Sequence, residues 1–118
     1  MSNQTAPISF LDIKAILYWL VKGKEDNLQN VHGPTFGWGT KEELANVVVD
    51  VGRPKTYRLI DPSLVGNGKG AETYLIQALT KGVDGMPRMP FQGNDEGQYA
   101  TPYQISTIIA WIDAGMPD

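Results

Sequence analysis

The sequence contains no cysteine and only one histidine, His32. Without cysteine the chain can form no disulfide, no thiolate nucleophile and no cysteine-ligated zinc site. A single imidazole also limits general-base chemistry, and no combination of serine, histidine and aspartate typical of a nucleophilic hydrolase can be identified. We therefore predict that the chain is not an enzyme in its own right.

Long apolar runs and a strong excess of one charge are also lacking. The longest apolar run, from Ala15 to Val21, is far too short to cross a bilayer. The formal net charge of -3 excludes a strongly basic nucleic-acid binder, and 42% hydrophobic residues are too many for a disordered chain. We expect one domain over residues 1–118, with a polar lead over 1–8. No signal peptide is visible, which leaves a cytosolic chain and a mature exported chain as alternatives.

Apolar residues recur at helical spacing in four stretches, and each stretch has a recognisable start. Ser9 and Asp12 form a predicted capping box before a helix over 10–22, and Thr40 with Glu43 forms another before a helix extending to Gly52. A third helix is predicted over 71–81 and a fourth from Thr101-Pro102 to Gly115. Strict alternation of apolar and polar residues is never sustained, so no strand is predicted. The expected fold is all-α, with four main helices joined by long Gly/Pro-rich loops.

Two of those loops carry side chains that can coordinate a metal. The first contains His32 in the stretch Leu28-Gln29-Asn30-Val31-His32-Gly33, and Phe36, Gly37, Trp38 and Gly39 follow it. The second is Gly85-Met86-Pro87-Arg88-Met89-Pro90, which offers two thioethers, each followed by a proline. An imidazole and a thioether are the axial ligands of many electron-transfer haem proteins. Long loops in a small helical domain also indicate that something packs inside them.

These stretches resemble the class I cytochrome c domain, in particular its short bacterial type. Phe10-Leu11-Asp12-Ile13 is similar to the opening helix of that family, and the ending Trp111-Ile112-Asp113-Ala114-Gly115 is similar to its closing helix. His32-Gly33 lies where the family has the last two residues of Cys-x-x-Cys-His-Gly, with Leu28 and Val31 at the positions of the two cysteines. The Met-Pro loop resembles the family's distal methionine loop.

The resemblance implies a cytochrome c-like electron-transfer domain, outside the cytoplasm and in the periplasm, whose partner is a redox protein or a subunit of a larger complex. His32 would be the proximal iron ligand and Met86 or Met89 the distal one, with Met89 favoured because Arg-Met-Pro is the commoner form in this branch. Leu28, Val31, Phe36 and Trp38 would lie against the haem. Because both cysteines are replaced, the haem could be held only without covalent attachment.

A haem-free derivative of the same fold is the alternative. Three tryptophans, Trp19, Trp38 and Trp111, can bury roughly 150–250 Å² each, which in sum is comparable to the area of a porphyrin. In that case His32 satisfies local backbone groups, the methionines fill core space, and the chain acts as a structural or protein-interaction subunit.

Overall fold

The computed structural model describes residues 8–22, 37–50, 56–82, 88–90 and 93–118. This part of the chain is mainly helical, as predicted, and its α-helices in chain order are α1 (Phe10–Leu20), α2 (Lys41–Ala45), α3 (Tyr74–Thr80) and α4 (Pro102–Asp113). Two 3-10 turns, Pro62–Leu64 and Gly70–Glu72, precede α3. None of the described helices is both long enough and apolar enough to span a bilayer.

Three of the described helices, α1, α2 and α4, begin where the capping residues predict. Ser9 donates its backbone N–H to the Asp12 carboxylate at 2.9 Å at the start of α1. The Thr40 hydroxyl accepts the backbone N–H of Glu43 at 3.1 Å at the start of α2. Thr101 and Gln104 form a reciprocal capping box around Pro102 at the start of α4. These side chains satisfy backbone donors that have no partner within the helix, which is why each start is well defined by its local sequence.

The second helix is much shorter than predicted, and a strand follows it. α2 ends at Ala45, and β1 (Val48–Asp50) pairs antiparallel with β2 (Thr56–Arg58), with Val48 opposite Arg58. The side-chain amide of Asn46 donates to the carbonyl of Glu42 at 2.8 Å and so caps the end of α2. Branched valines favour an extended backbone, so the apolar spacing that suggested a helix here instead belongs to a short hairpin. The prediction that the chain has no strand was therefore wrong.

The third helix begins later than predicted, at Tyr74. Thr73 is fully buried, and its hydroxyl accepts the backbone N–H of Ile76 at 3.3 Å while donating to the carbonyl of Gly70 at 2.8 Å. Thr73 is thus the residue that caps α3, and the three residues before it form a 3-10 turn.

A single hydrophobic core joins the described helices. Phe10 on α1 lies against Trp111 on α4, with ring centroids 6.2 Å apart. The largest side chains with almost no exposure come from α1, from α2 and the residues beside the two strands, and from α4: Ile13, Leu20, Leu44, Val47, Ile60, Ile108, Trp111 and Ile112. α4 also packs against α3 and against the second 3-10 turn, so it contacts most of the other helical elements.

The end of α1 is held by a turn that precedes α4. Asn94 is buried and its side-chain amide donates to the carbonyl of Trp19 at 3.1 Å. The backbone N–H of Asp95 donates to the carbonyl of Lys22 at 3.0 Å. The carbonyl of Trp19, which also accepts the backbone N–H of Lys22 at 3.3 Å, and the carbonyl of Lys22, directly after α1, are therefore both bonded to a segment distant in sequence.

Gly70 lies so close to α4 that no larger residue fits there. Its backbone N–H donates to the Asp113 carboxylate at 2.8 Å. A Cβ at this position would lie 2.9 Å from that carboxylate oxygen, 3.0 Å from the carbonyl oxygen of Ile109 and 3.2 Å from Cβ of Ile112. Two of these neighbours belong to the body of a helix and cannot move aside without shifting it.

We expect Gly70→Ala to destabilise the fold by about 1–3 kcal/mol, the usual cost of forcing extra atoms into a packed contact. Gly37→Ala is the matched control, because a Cβ at Gly37 would meet its nearest neighbour at 3.6 Å, an ordinary contact. Urea unfolding followed by tryptophan fluorescence measures both variants. Equal midpoints for the two variants would contradict the close approach of Gly70 to α4.

Candidate functional site

The predicted site residues fall into two groups. Trp38 and Met89 lie in the part of the chain that the structure describes, whereas Leu28, Val31, His32, Phe36 and Met86 lie outside the described residues. Trp38 precedes α2, and Met89 lies between α3 and α4. Both belong to one hydrophobic assembly, since Trp38 is part of the core and Met89 packs against it.

Trp38 is inserted into the core beside α1. Its exposed fraction is 4%, and its ring meets that of Tyr18 edge-on with centroids 6.0 Å apart. Edge-to-face contact places the positive edge of one ring against the negative face of the other. Tyr18 is thus a protein side chain against which Trp38 packs, and contact of Trp38 with a haem stays a prediction.

The backbone next to Trp38 is anchored by α1. The Lys14 ammonium donates to the carbonyl of Gly39 at 3.0 Å and lies 5.9 Å from the centre of the Tyr18 ring. The Glu43 carboxylate of α2 also lies near Gly39, where a Cβ would be 3.3 Å from one of its oxygens. The chain that enters α2 is therefore bonded to α1 through Lys14 and passes close to Glu43.

Met89 is tied to the end of α3 through its backbone. Its N–H donates to the carbonyl of Ala78 at 2.7 Å. Its side chain is partly buried and packs against the core cluster. The thioether is thus attached to a backbone whose position is set by α3.

Arg88, the residue before Met89, binds two separate segments. Its Nε–H donates to the carbonyl of Leu79 at 3.0 Å and its Nη2–H donates to the carbonyl of Ala100 at 3.0 Å. The guanidinium carbon also lies 4.5 Å from the centre of the Tyr99 ring, within the range of a cation–π contact. One side chain therefore connects the last turn of α3, the residue before the cap of α4, and the methionine loop.

Three of these residues were not predicted as part of the site: Lys14, Tyr18 and Arg88. Tyr18 and Lys14 lie on the outer part of α1, where a helical pattern indicates only solvent-facing positions. Arg88 was quoted as part of the Arg-Met-Pro sequence but given no role. A long cation beside a methionine in a proline-rich loop is the signal that could have identified it, because such loops have many carbonyls without partners.

Metal chemistry from other side chains finds no support in the described ranges. They contain no group of three or more histidine, cysteine, aspartate or glutamate side chains that could hold an ion.

The pKa of Asp61 is lowered, mainly because its carboxylate accepts the backbone N–H and the hydroxyl of Ser63. Asp61 caps a 3-10 turn and is not one of the predicted site residues.

A surface groove of about 430 Å³ lies elsewhere in the fold, between α2, β2 and the C-terminal residues. Its lining includes Lys41, Arg58, Ile60 and Met116, and neither Trp38 nor Met89 contributes to it. Both cations already have partners, because Lys41 pairs with Asp118 at 2.6 Å and Arg58 donates to the carbonyl of Ala45 at 2.6 Å. The groove is therefore separate from Trp38 and Met89, the two predicted site residues that the structure describes.

The sequence resemblance implies a haem, and the side chains of this protein show which kinds of attachment and coordination are available to hold one. The absence of cysteine excludes thioether attachment of the porphyrin vinyl groups. Axial coordination by one imidazole and one thioether needs only His32 and a methionine, and Met89 is a thioether packed against the core. The donor set fits a haem held by coordination and packing alone.

Removing the Lys14 ammonium should loosen the segment that carries Trp38. We expect Lys14→Met, which keeps the aliphatic stem, to destabilise the protein by about 1.5–3 kcal/mol, as expected for loss of a hydrogen bond from a charged donor. Lys69→Met serves as control because the Lys69 side chain is exposed. Thermal unfolding of both variants is the measurement, and a Lys14→Met protein as stable as the control would contradict the anchoring role.

Comparison with known proteins finds no matching family model, no matching curated protein sequence and no matching solved structure.

Proposed function

We propose that this chain is a cytochrome c-like electron-transfer domain that binds haem without covalent attachment, with His32 and Met89 as axial ligands. The observation that carries the proposal is the environment of Met89. Its side chain packs against the core and its backbone is bonded to α3, so its thioether is held at the core of the domain.

Each half of the proposed site has its own support in the protein. The segment after His32 is anchored at Gly39 by Lys14, and Trp38 is buried against Tyr18. The Met89 segment is anchored by Arg88 and by the carbonyl of Ala78. Anchors at Gly39 and at Met89 suit an electron carrier, because a ligand geometry that changes little between oxidation states keeps the reorganisation energy low.

When bound, haem would supply a one-electron couple, and a histidine and methionine pair would favour a positive potential. The protein's part is to hold the two ligands and to exclude water from the iron. Leu28, Val31, Phe36 and Trp38 are the apolar side chains that we assign to that exclusion. The partner would be a redox protein or a larger redox complex, in an extracytoplasmic compartment.

Titration of the purified chain with haemin tests this function. We expect a Soret band with micromolar or tighter binding, and His32→Ala should abolish it, because that variant removes the only imidazole. The proposal fails if the unaltered chain binds no haemin at micromolar concentration.

The distal ligand is tested by a matched pair of variants. Met89→Leu should remove the long-wavelength sulfur-to-iron charge-transfer band while the Soret band from His32 ligation persists. Met86→Leu should leave both bands unchanged. The opposite result would assign Met86 as the distal ligand.

A second function is favoured by the burial of the tryptophans. Trp38 and Trp111 have exposed fractions of 4% and 0%, and both belong to a continuous core of protein side chains. Such a core supports a haem-free derivative acting as a structural or protein-interaction subunit. The distinguishing observation is the state of the protein without haem.

The haem-free function predicts that the colourless protein unfolds in one cooperative transition and that haemin leaves its melting temperature unchanged. Trp38→Ala should then cost about 3–5 kcal/mol, as for truncation of other buried aromatic side chains. Under the haem-binding function, saturating haemin raises the melting temperature, because a ligand that binds only the folded state stabilises it. Calorimetry with and without haemin separates the two.

A further inference from the structure

We propose that Arg88 is a positioning residue for Met89, and that its guanidinium fixes the methionine loop in the arrangement needed for thioether ligation. This inference rests on the proposed haem function. It concerns a side chain that touches neither the iron nor its ligand atom and acts only through the backbone of the neighbouring residue.

The first step of the argument is the pair of carbonyls that Arg88 binds. Leu79 lies in the last turn of α3, where carbonyls have no intrahelical partner, and Ala100 lies immediately before Thr101, the cap of α4. The Nε–H and Nη2–H of Arg88 donate to these two oxygens at 3.0 Å each. The guanidinium thus sets the spacing between the end of one helix and the beginning of the next.

The second step is the chemistry that only arginine offers here. Its planar group presents several N–H donors in fixed directions and can stack on an aromatic ring, whereas a lysine ammonium is a compact point charge. Tyr99 supplies that ring at 4.5 Å. Among the described residues no carboxylate forms an ion pair with Arg88. Its contacts with this part of the protein are the two hydrogen bonds to carbonyls and the contact with the Tyr99 ring.

The third step connects these contacts of Arg88 to the thioether of Met89. Met89 follows Arg88 directly, and its own N–H donates to the carbonyl of Ala78, next to the carbonyl that Arg88 binds. Methionine has three rotatable bonds, so its side chain by itself specifies position poorly. Two consecutive anchors on α3 therefore decide where the sulfur can lie.

The test uses the haem-loaded full chain with Arg88→Gln and Arg88→Lys. We expect Arg88→Gln to keep the Soret band through His32 but to lose most of the sulfur-to-iron band. Its haemin affinity should fall roughly 10- to 100-fold, the usual effect of removing an outer-shell partner of a metal ligand. Arg88→Lys should restore part of the band, because an ammonium can satisfy one of the two carbonyls. Arg58→Gln is the matched control, since Arg58 is an exposed arginine that also donates to a backbone carbonyl.

A double variant separates positioning from a general loss of stability. If Arg88 acts through Met89, then adding Arg88→Gln to Met89→Leu should change neither the haemin affinity nor the haem spectrum further. A full sulfur-to-iron band in Arg88→Gln overturns the inference, and so does an additional loss of haemin affinity in the double variant.

If Arg88→Gln fails to fold, the intensity of the sulfur-to-iron band in Arg88→Lys, relative to Arg58→Gln, tests the inference instead: a weaker band supports it and an equal band overturns it. If the unaltered chain binds no haemin, the proposed function is contradicted. A chain that binds haemin without a sulfur-to-iron band leaves haem binding in place and overturns the role of Arg88.

Discussion

Phe10 and Trp111 join the first and last helices of the domain, and the other described elements are arranged around that contact. The Trp111 indole N–H donates to the carbonyl of Pro117 at 2.8 Å, and Gly70 packs directly on the following turn of α4. α3 packs on the same helix. The free energy released by burying these aromatic and branched side chains is the term that makes a fold of this size stable without disulfides.

Polar contacts then determine how the loops leave this helical core. Lys14, Asn94 and Arg88 each use a side-chain donor to bind a backbone carbonyl in another segment. Such a bond contributes about 1 kcal/mol from a neutral donor such as Asn94 and about 1.5–3 kcal/mol from a charged donor such as Lys14 or Arg88, and a buried carbonyl without any partner costs about 1–3 kcal/mol. The loops are therefore specified by the need to satisfy backbone groups, whereas the helices are specified by apolar packing.

The same division explains what the sequence could predict. The starts of α1 and α2 were predicted correctly because a cap and its partner lie three residues apart in sequence and meet within the first turn of the helix. The start of α4 was predicted from Thr101 as the cap, followed by Pro102 in the first turn. The hairpin was missed because Val48 pairs with Arg58, and the apolar spacing around Val47 matches a helix equally well. The burial of Trp38 followed from its size. The roles of Lys14 and Arg88 did not, because their partners are fixed only when distant segments meet in the folded chain.

The contacts of α1 reach two segments that are far apart in sequence. The Lys14 ammonium on α1 donates to the carbonyl of Gly39, directly before the cap of α2, and the carbonyl of Trp19 accepts the side-chain amide of Asn94, in the turn before α4. One helix therefore sets the position of both segments. A change that shifts α1 along its axis would displace the entry to α2 and the turn before α4 together.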